Sequence, residues 1–283
     1  MSGEIPSRMV APAKLNLCLY VGPQRDDGLH EIRSLFEPLE LADELRISEA
    51  AEDEVICEGI GGPDLTAVAL AALREHGWNG PPLRIEVIKR VPVAAGLGGG
   101  SADAAAVLRL ARGELEGIRS IAAQIGADVP SQLQPRPCLV AGAGDVIEPA
   151  APPAEHGVVL IPQAEGLSTA EVYAELDRLG SARGESELEA IRRQLRDAVD
   201  ERGSPLEYRE HLVNDLQPAA ISLRPEIEDA LGALEEAGAS HAMVTGSGPT
   251  AFGLYPSSEE AAASAERLRE RFPDVLATAP LAP

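Results

Sequence analysis

A glycine-rich stretch is the first part of this sequence whose residue types could do chemistry. Residues 92–103 read PVAAGLGGGSAD, and glycine fills four of the five positions 96–100. Glycine tolerates positive φ and lets backbone N–H groups approach a ligand, and the helix expected after it carries partial positive charge at its start. The stretch therefore predicts a phosphate-binding loop, although a simple strand-to-helix turn has the same pattern.

The stretch matches neither of two common nucleotide-binding patterns. It lacks the Gly-Lys-Ser/Thr ending of a P-loop, and its spacing is not the Gly-x-Gly-x-x-Gly of a dinucleotide-binding βαβ unit. A Rossmann-type oxidoreductase is therefore disfavoured. A second glycine turn, Gly246-Ser247-Gly248, joins two apolar segments that read as a hairpin. A plain hairpin loop would explain it, but two such turns, one in each half, favour a cleft that holds a phosphorylated ligand.

Two charged residues, Lys14 and Asp128, are flanked in the sequence by small or apolar residues. Lysines are rare in this chain, since Lys14 and Lys89 are the only two among 24 basic residues. Asp128 could simply bond its own backbone in a turn, and Lys14 could face solvent. If the two converge, they supply the base and the cation that phosphoryl transfer to an alcohol requires.

Several other polar residues have simpler interpretations. His30 could be an exposed turn residue or could contact a ligand. Asp103 is predicted to favour the start of its helix as an acidic residue in the first turn. The three cysteines have no metal-binding spacing, so we expect buried thiols in a reducing compartment and no metal site. They are Cys18, Cys57 and Cys138.

Length and charge limit the classes of protein. With 283 residues, 45% of them hydrophobic, the chain can bury a large core and form two domains. The net charge of -22 argues against broad contact with nucleic acid or an anionic membrane, because both need a basic surface. Neither a signal-like N-terminus nor an 18-residue apolar run is present, so a cytoplasmic location is expected.

Apolar periodicity predicts a mixture of strands and helices. Pro130 is expected to push Val129 out of helical geometry, and the proline-rich segment 148–154 suggests domains at 1–153 and 154–283. The predicted strands lie at about 8–21, 30–41, 44–48, 55–58, 83–91, 138–141, 145–147, 158–161, 241–245 and 250–255, with a short one near the C-terminus. The predicted helices lie at about 64–76, 102–112, 114–125, 169–179, 185–199, 225–237 and 257–271.

Six motifs, taken in chain order, resemble those of the GHMP kinase superfamily. They are APAKLNL at 11–17, DGLH at 27–30, the glycine-rich stretch 92–105, GADVP at 126–130, NDL at 214–216 and TGSG at 245–248. The resemblance runs from about Val10 to Tyr255. It implies a two-domain α+β fold, with an N-terminal domain like ribosomal protein S5 domain 2 and a ferredoxin-like C-terminal domain. The implied activity is ATP-dependent phosphorylation of a small alcohol.

The resemblance also implies roles for individual residues. Asp128 would be the base that takes the proton of the substrate hydroxyl, with Lys14 bonded to it. ATP, with Mg²⁺, would lie on the loop with adenine near Asp64 and Leu65. The implied nucleotide-binding residues are Leu65, Pro92, Gly96, Leu97, Gly98, Gly99, Gly100 and Ser101; no metal ligand is assigned.

The implied substrate is a cytidyl diphosphate sugar alcohol. Asn16 would bind its sugar alcohol, His30 the cytosine edge, Tyr173 the cytosine ring, and Gly246, Ser247 and Gly248 the diphosphate. The sequence departs from the family pattern at Leu29, Asp64, Ser131-Gln132 and Gln217. A homoserine or mevalonate kinase and a non-catalytic nucleotide-binding protein are the alternatives. We expect a monomer or weak homodimer.

Overall fold

A computed structural model describes residues 5–58, 64–201 and 203–282, and the chain forms two compact units that alternate along the sequence. The first unit contains the chain up to Ala13 together with Leu41–Val93 and Gly98–Pro135. The second contains Lys14–Glu40, Ala94–Leu97 and the chain from Arg136 onward. These units do not follow a single cut after residue 153, so that domain boundary stays a prediction.

The strands of the first half are long at first and then short. They are β1 (Arg8–Gln24), β2 (His30–Glu49), β3 (Glu54–Cys57), β4 (Leu83–Ile88), β5 (Cys138–Gly142) and β6 (Val146–Pro149). The two strands predicted at 30–41 and 44–48 are one strand, β2, and neither glycine nor proline separates them. In the first unit the end of β2 pairs antiparallel with β4, and β3 runs parallel to β4.

The helices of the first unit are α1 (Leu65–Glu75), α2 (Gly99–Leu108), α3 (Ile118–Ile125) and α4 (Val129–Gln132), with a 3₁₀ turn at Arg109–Ala111. Helix α1 begins where predicted, since the Asp64 carboxylate accepts a hydrogen bond from the Thr66 N–H at 2.9 Å. Helix α2 is buried along almost its whole length, and its alanines pack against α1. This alanine-rich contact forms the core of the first unit.

Three boundaries in the first unit differ from prediction. Helix α2 starts at Gly99 rather than 102, so the loop's last glycines are helical. Helix α3 starts at Ile118 rather than 114, because Gly113 and Gly117 adopt positive φ of 87° and 76°. Pro130 occupies the first turn of α4, where an N–H is not needed, so Val129 is helical and the predicted break was wrong.

The second unit contains a four-stranded antiparallel sheet. Its strands are β7 (Gly157–Ile161), β8 (His241–Val244), β9 (Ala251–Tyr255) and β10 (Leu276–Thr278), in the order β10-β7-β9-β8. Its helices are α5 (Thr169–Leu179), α6 (Glu185–Asp200), α7 (Gln217–Leu223), α8 (Glu226–Glu236) and α9 (Ser258–Leu268), with a 3₁₀ turn at Arg209–His211. Helices α5–α8 lie between β7 and β8, and α9 lies between β9 and β10, which is the ferredoxin-like order of elements. The predicted α+β fold is confirmed; α7 was not predicted.

The first part of β2 also belongs to the second unit. Its residues Ile32–Phe36 pair antiparallel with β5, and β5 pairs with β6. Two apolar clusters fill this unit, one between β2, α5 and α7 and one between the four-stranded sheet, α8 and α9. Across the described ranges, no helix is long and apolar enough to cross a membrane.

Candidate active site

The glycine-rich loop ends in a left-handed N-cap. Gly96 and Gly98 have φ of +76° and +69°, and Gly98 is the residue that precedes α2. A side chain at either position would strain the backbone. The first N–H groups of α2 have no acceptor within the helix, so this end of the helix suits an anion. The predicted change from loop to helix is therefore present.

The two glycine turns touch each other within the second unit. A Cβ atom placed on Gly96 would lie 2.6 Å from the carbonyl oxygen of Thr245 and 3.0 Å from that of Gly248. A Cβ on Gly246 would lie 3.2 Å from the carbonyl oxygen of Gly96. Glycine at position 96 thus meets two requirements, positive φ and close backbone contact. The two turns, which the sequence places 150 residues apart, form one structural feature.

Lys14 lies at this meeting point. Its ammonium donates hydrogen bonds to the Gly96 carbonyl at 3.1 Å and to the Asn16 side-chain oxygen. Its backbone N–H donates to the Leu97 carbonyl at 2.9 Å, and its ammonium lies 4.9 Å from the centre of the Phe36 ring. The residue is 5% exposed, so the alternative in which Lys14 faces solvent is wrong.

Asn16 joins Lys14 to the second glycine turn. Its backbone N–H donates to the Thr245 hydroxyl, and its amide nitrogen donates to the Ser34 hydroxyl, both at 3.0 Å. The amide oxygen faces Lys14 because the nitrogen has an acceptor of its own. Lys14 and Asn16 therefore have fixed orientations, and Thr245, which the TGSG motif contains without an assigned role, is the partner of Asn16.

Asn214 and Gln217 hold the backbone of the second glycine turn. The amide of Asn214 donates to the carbonyls of Val244 and Gly246, both at 2.8 Å. The side-chain oxygen of Gln217 accepts the Val244 N–H at 2.9 Å. Gln217, one of the departures from the family pattern, therefore has a structural role. No periodicity in the sequence signals these contacts, because the partners lie 27 to 32 residues apart.

His30 and Tyr173 lie together, as expected of residues that share a ligand. Their ring centres are 5.1 Å apart with the planes tilted by 34°. The Nδ1 of His30 donates to the Gly22 carbonyl at 2.9 Å, and its Nε2 lies 3.4 Å from a carboxylate oxygen of Asp177, one helical turn after Tyr173. Leu29, another departure, is 53% exposed.

The second glycine turn also contacts the helix that carries Tyr173. The hydroxyls of Ser247 and Thr169 lie 3.0 Å apart, and Thr169 is the first residue of α5. The residues expected to bind the sugar alcohol, the diphosphate and the cytosine are therefore parts of one unit: Asn16, His30, Tyr173, Gly246, Ser247 and Gly248.

Asp128 belongs to the first unit and directly precedes α4, where it is half-buried. Its backbone carbonyl accepts a hydrogen bond from the Ser131 hydroxyl at 2.7 Å, which gives the departure at Ser131 a local role. A Cβ on Gly126 would lie 4.0 Å from the Ser101 hydroxyl, so the turn that carries Asp128 runs beside the start of α2. Lys14 belongs to the second unit, and the convergence of Lys14 and Asp128 stays a prediction.

Leu65, the first residue of α1, contacts the start of α2. Its side chain is 3.6 Å from the place that a Cβ on Gly100 would occupy. Asp64, which precedes it, is the N-cap of α1, so this residue has a local structural role. Leu65 and residues Gly98, Gly99, Gly100 and Ser101, all predicted to bind the nucleotide, thus lie at one end of α2.

Neither Cys18 nor Cys57 has the lowered pKa of a reactive thiol, and the described ranges contain no cluster of three His, Cys, Asp or Glu side chains that could hold a metal ion. Burial raises the pKa of the Cys18 thiol to about 12 and that of Cys57 to about 11. A thiol with such a pKa is protonated at neutral pH and is a poor nucleophile. Cys18 and Cys138 are buried as predicted, whereas Cys57 is partly exposed.

Comparisons with known proteins agree with the fold. Residues 37–135 match the GHMP kinases N terminal domain, and residues 188–274 match the GHMP kinases C terminal model. A protein of Anaeromyxobacter sp. (strain Fw109-5), named 4-diphosphocytidyl-2-C-methyl-D-erythritol kinase, is 39% identical over 279 residues, which cover 94% of this chain and 87% of that protein.

Two solved structures are also similar. A crystal structure of 4-(cytidine 5'-diphospho)-2C-methyl-D-erythritol kinase superposes with a TM-score of 0.80 at 31% identity, over 97% of this chain and all of the other. Homoserine kinase from Cytophaga hutchinsonii superposes with a TM-score of 0.71 at 17% identity, over 99% and 96% of the two chains, and shares the fold alone.

The ferredoxin-like sheet, the glycine-rich start of α2 and the two matching domains define an ATP-dependent phosphotransferase. The chain belongs to the GHMP kinase family, in the group of the 4-diphosphocytidyl-2-C-methyl-D-erythritol kinases.

Proposed function

We propose that this kinase transfers the γ-phosphoryl group of ATP to the 2-hydroxyl of 4-diphosphocytidyl-2-C-methyl-D-erythritol, with Lys14 and Asp128 as its catalytic residues. The observation that carries the proposal is the place of Lys14, whose ammonium is fixed by the Gly96 carbonyl and Asn16 where the two glycine turns meet. A fixed cation at that point can stabilise the charge of a phosphoryl group during transfer.

The nucleotide would bind at the start of α2. Its phosphates would accept hydrogen bonds from the N–H groups of the loop and of Gly99, Gly100 and Ser101, with adenine against Leu65. Mg²⁺ is commonly held by substrate phosphates with one or two carboxylates, so the lack of a three-residue acidic cluster in the described part of the chain is compatible with it. Bound Mg²⁺ would neutralise phosphate charge.

Asp128 would accept the proton of the attacking hydroxyl. General-base catalysis by a positioned carboxylate contributes about 10²- to 10⁴-fold to the rate. Lys14, bonded to the same hydroxyl, would favour its ionised form. The role needs Asp128 and Lys14 to meet around the substrate.

The second unit would select the alcohol. The His30–Tyr173 pair offers a polar edge beside an aromatic face, which suits a cytosine ring. Asn16 would bind the erythritol, and the second glycine turn would bind the diphosphate through its backbone. Homoserine and mevalonate contain no nucleobase, so the His30–Tyr173 pair favours the cytidyl substrate.

The proposal is tested with Asp128→Asn, which keeps the shape of the side chain and removes the base. We expect kcat to fall by at least about 10²-fold, with an unchanged calorimetric Kd for a non-hydrolysable ATP analogue. Asp145→Asn is the matched control, because Asp145 also lies in a turn; its carboxylate accepts the Ala143 N–H at 2.9 Å. Near-normal kcat in Asp128→Asn would refute the general-base role.

The choice of substrate has its own test. The parent protein is offered the cytidyl alcohol, homoserine and mevalonate in turn, and ADP formation is coupled to a spectrophotometric assay. Turnover of homoserine or mevalonate without turnover of the cytidyl alcohol would overturn the proposed substrate. The requirement for Mg²⁺, the cytoplasmic location and a monomer or weak homodimer without nucleic-acid partners remain parts of the proposal.

A further inference from the structure

A buried charge cluster underlies the glycine-rich loop. The ammonium of Lys89 donates hydrogen bonds to a carboxylate oxygen of Asp43 and, at 2.7 Å, to one of Asp103. The three residues lie on β2, just after β4 and in the middle of α2, and all belong to the first unit. Asp103 is the fifth residue of α2, not part of its first turn, and it bonds Lys89, so the prediction that it favours the helix start was wrong.

The cluster holds both ends of the loop. The second oxygen of Asp43 accepts the backbone N–H groups of Arg90 and Val91, at 2.6 and 2.8 Å, immediately before the loop. Asp103 lies after the loop, one turn into α2. Asp43, which accepts the N–H groups of the entering segment, and Asp103, which lies in the following helix, both accept hydrogen bonds from the Lys89 ammonium.

The cluster also lies directly against the start of α2. A Cβ on Gly99 would come within 3.3 Å of the Asp43 carboxylate and 3.0 Å of the Val91 side chain. Such close packing restricts the movement of this end of the loop. A side chain at position 99 would therefore press against the cluster.

The arrangement is costly for the fold alone. Asp103 is 1% exposed, and its Oδ1 is buried without a hydrogen-bond partner among the described residues. Burial raises the pKa of Asp103 to about 7; the charges of Asp43 and Asp64 act in the same direction, and Lys89 opposes them. One ammonium faces two carboxylates, and burying charges that are incompletely paired destabilises a protein. A well-packed apolar residue would serve stability better, which suggests a functional reason for Asp103.

We propose that Asp103 is a positioning residue for the nucleotide: through Lys89 it fixes the glycine-rich loop and the start of α2 in the geometry that binds ATP phosphates. The inference rests on the proposed binding of ATP at this loop. A loop that is already ordered before binding loses less conformational freedom when the ligand arrives, so its affinity is higher. Asp103 does not touch the reacting atoms, and the chemical step should not depend on it.

The test compares Asp103→Ala with Asp103→Asn. Alanine removes the acceptor of Lys89, so we expect the KM for ATP and the calorimetric Kd for ADP to rise by about tenfold or more, while kcat and the KM for the alcohol stay within about twofold. Asparagine retains an oxygen that can accept from Lys89 and should restore most of the affinity. If Asp103→Ala does not fold, Asp103→Ser, whose hydroxyl is too short to replace the carboxylate, gives the same comparison.

Asp53→Ala is the matched control. Asp53 is a carboxylate of the same unit that pairs with Arg74 at 2.7 Å and accepts the Leu83 N–H at 2.8 Å, at the opposite end of β4. The substitution Asp53→Ala should lower Tm without changing the affinity for ADP. A loss of stability in Asp103→Ala with unchanged ADP affinity, or equal rises in both KM values, would overturn the inference. Retained ADP binding by the parent without turnover of the cytidyl alcohol would instead overturn the proposed function alone.

Discussion

Two threonines at the base of the second glycine turn allow a paired hydroxyl to be compared with an unpaired one. Thr245 and Thr250 are both fully buried, and they face each other across the hairpin through a backbone hydrogen bond of 3.1 Å. The hydroxyl of Thr245 accepts the Asn16 N–H at 3.0 Å. The hydroxyl of Thr250 has no partner among the described residues. Valine has nearly the same shape as threonine, so each substitution removes one hydroxyl.

The two substitutions should differ in their effect on stability. Thr245→Val leaves the Asn16 N–H buried and unsatisfied, which costs about 1 to 3 kcal/mol. A change of 1 kcal/mol shifts Tm by roughly 2 to 4 °C in proteins of 150 to 250 residues, so a fall of several degrees is expected. Thr250→Val removes a polar group that had no partner, and its stability should be unchanged or higher.

Thermal unfolding of the two variants and the parent, followed by calorimetry, measures this difference. Thr245→Val should also raise the KM for the alcohol, because Asn16 is proposed to bind it and loses one of its supports. The KM for ATP should remain close to the parent value. Equal destabilisation by the two substitutions, or a more stable Thr245→Val, would refute the assignment of the Thr245 hydroxyl as the partner of Asn16.

Two further predictions concern the second unit. Tyr173→Leu should raise the KM for the cytidyl alcohol by roughly 5- to 150-fold, which corresponds to about 1 to 3 kcal/mol of lost stacking. The KM for ATP should not change. Steady-state kinetics with both substrates measures this, and a joint rise of both KM values would contradict it. Both ring nitrogens of buried His156 face acceptors, the Ala154 carbonyl at 2.9 Å and a Glu37 carboxylate oxygen at 3.1 Å. Burial opposes the charged form, but Glu37 and the Ala154 carbonyl outweigh it and raise the pKa of His156. This stabilisation is full below the unfolded pKa of about 6.5 and is lost as pH rises through the folded value, so His156→Gln should lower Tm more at pH 6 than at pH 9, and a pH-independent difference would contradict the ion pair.

Sequence patterns predicted the elements whose signals are local. Helix α5 has the predicted bounds, and α1 begins after the predicted cap, because an apolar stripe and a capping residue lie within a few positions of each other. The misses have local physical causes as well. Left-handed glycines delay α3, and Pro130 begins a helix because its missing N–H has no cost in a first turn.

The candidate site was only partly accessible from sequence. The local order of residues identified the two glycine turns, and the resemblance supplied roles for Lys14 and Asp128. Neither the residue order nor the resemblance indicated that the Thr245 hydroxyl accepts the N–H of Asn16, 229 positions away in the sequence. Neither indicated that Lys89 bonds Asp43, 46 positions away. Hydrogen bonds between distant strands leave no periodic signal, because either partner alone resembles an ordinary polar residue on a strand or turn.

The two lysines show how a strongly acidic protein can hold a polyanionic ligand. Lys89 bonds two carboxylates, so its charge is used within the protein and orders the glycine-rich loop. The Gly96 carbonyl and the Asn16 amide, to which Lys14 donates, are uncharged. These two bonds orient the ammonium of Lys14, which we propose acts on the transferred phosphoryl group. With a net charge of -22, the protein as a whole repels the ATP anion. Binding must therefore depend on such local groups and on backbone N–H donors.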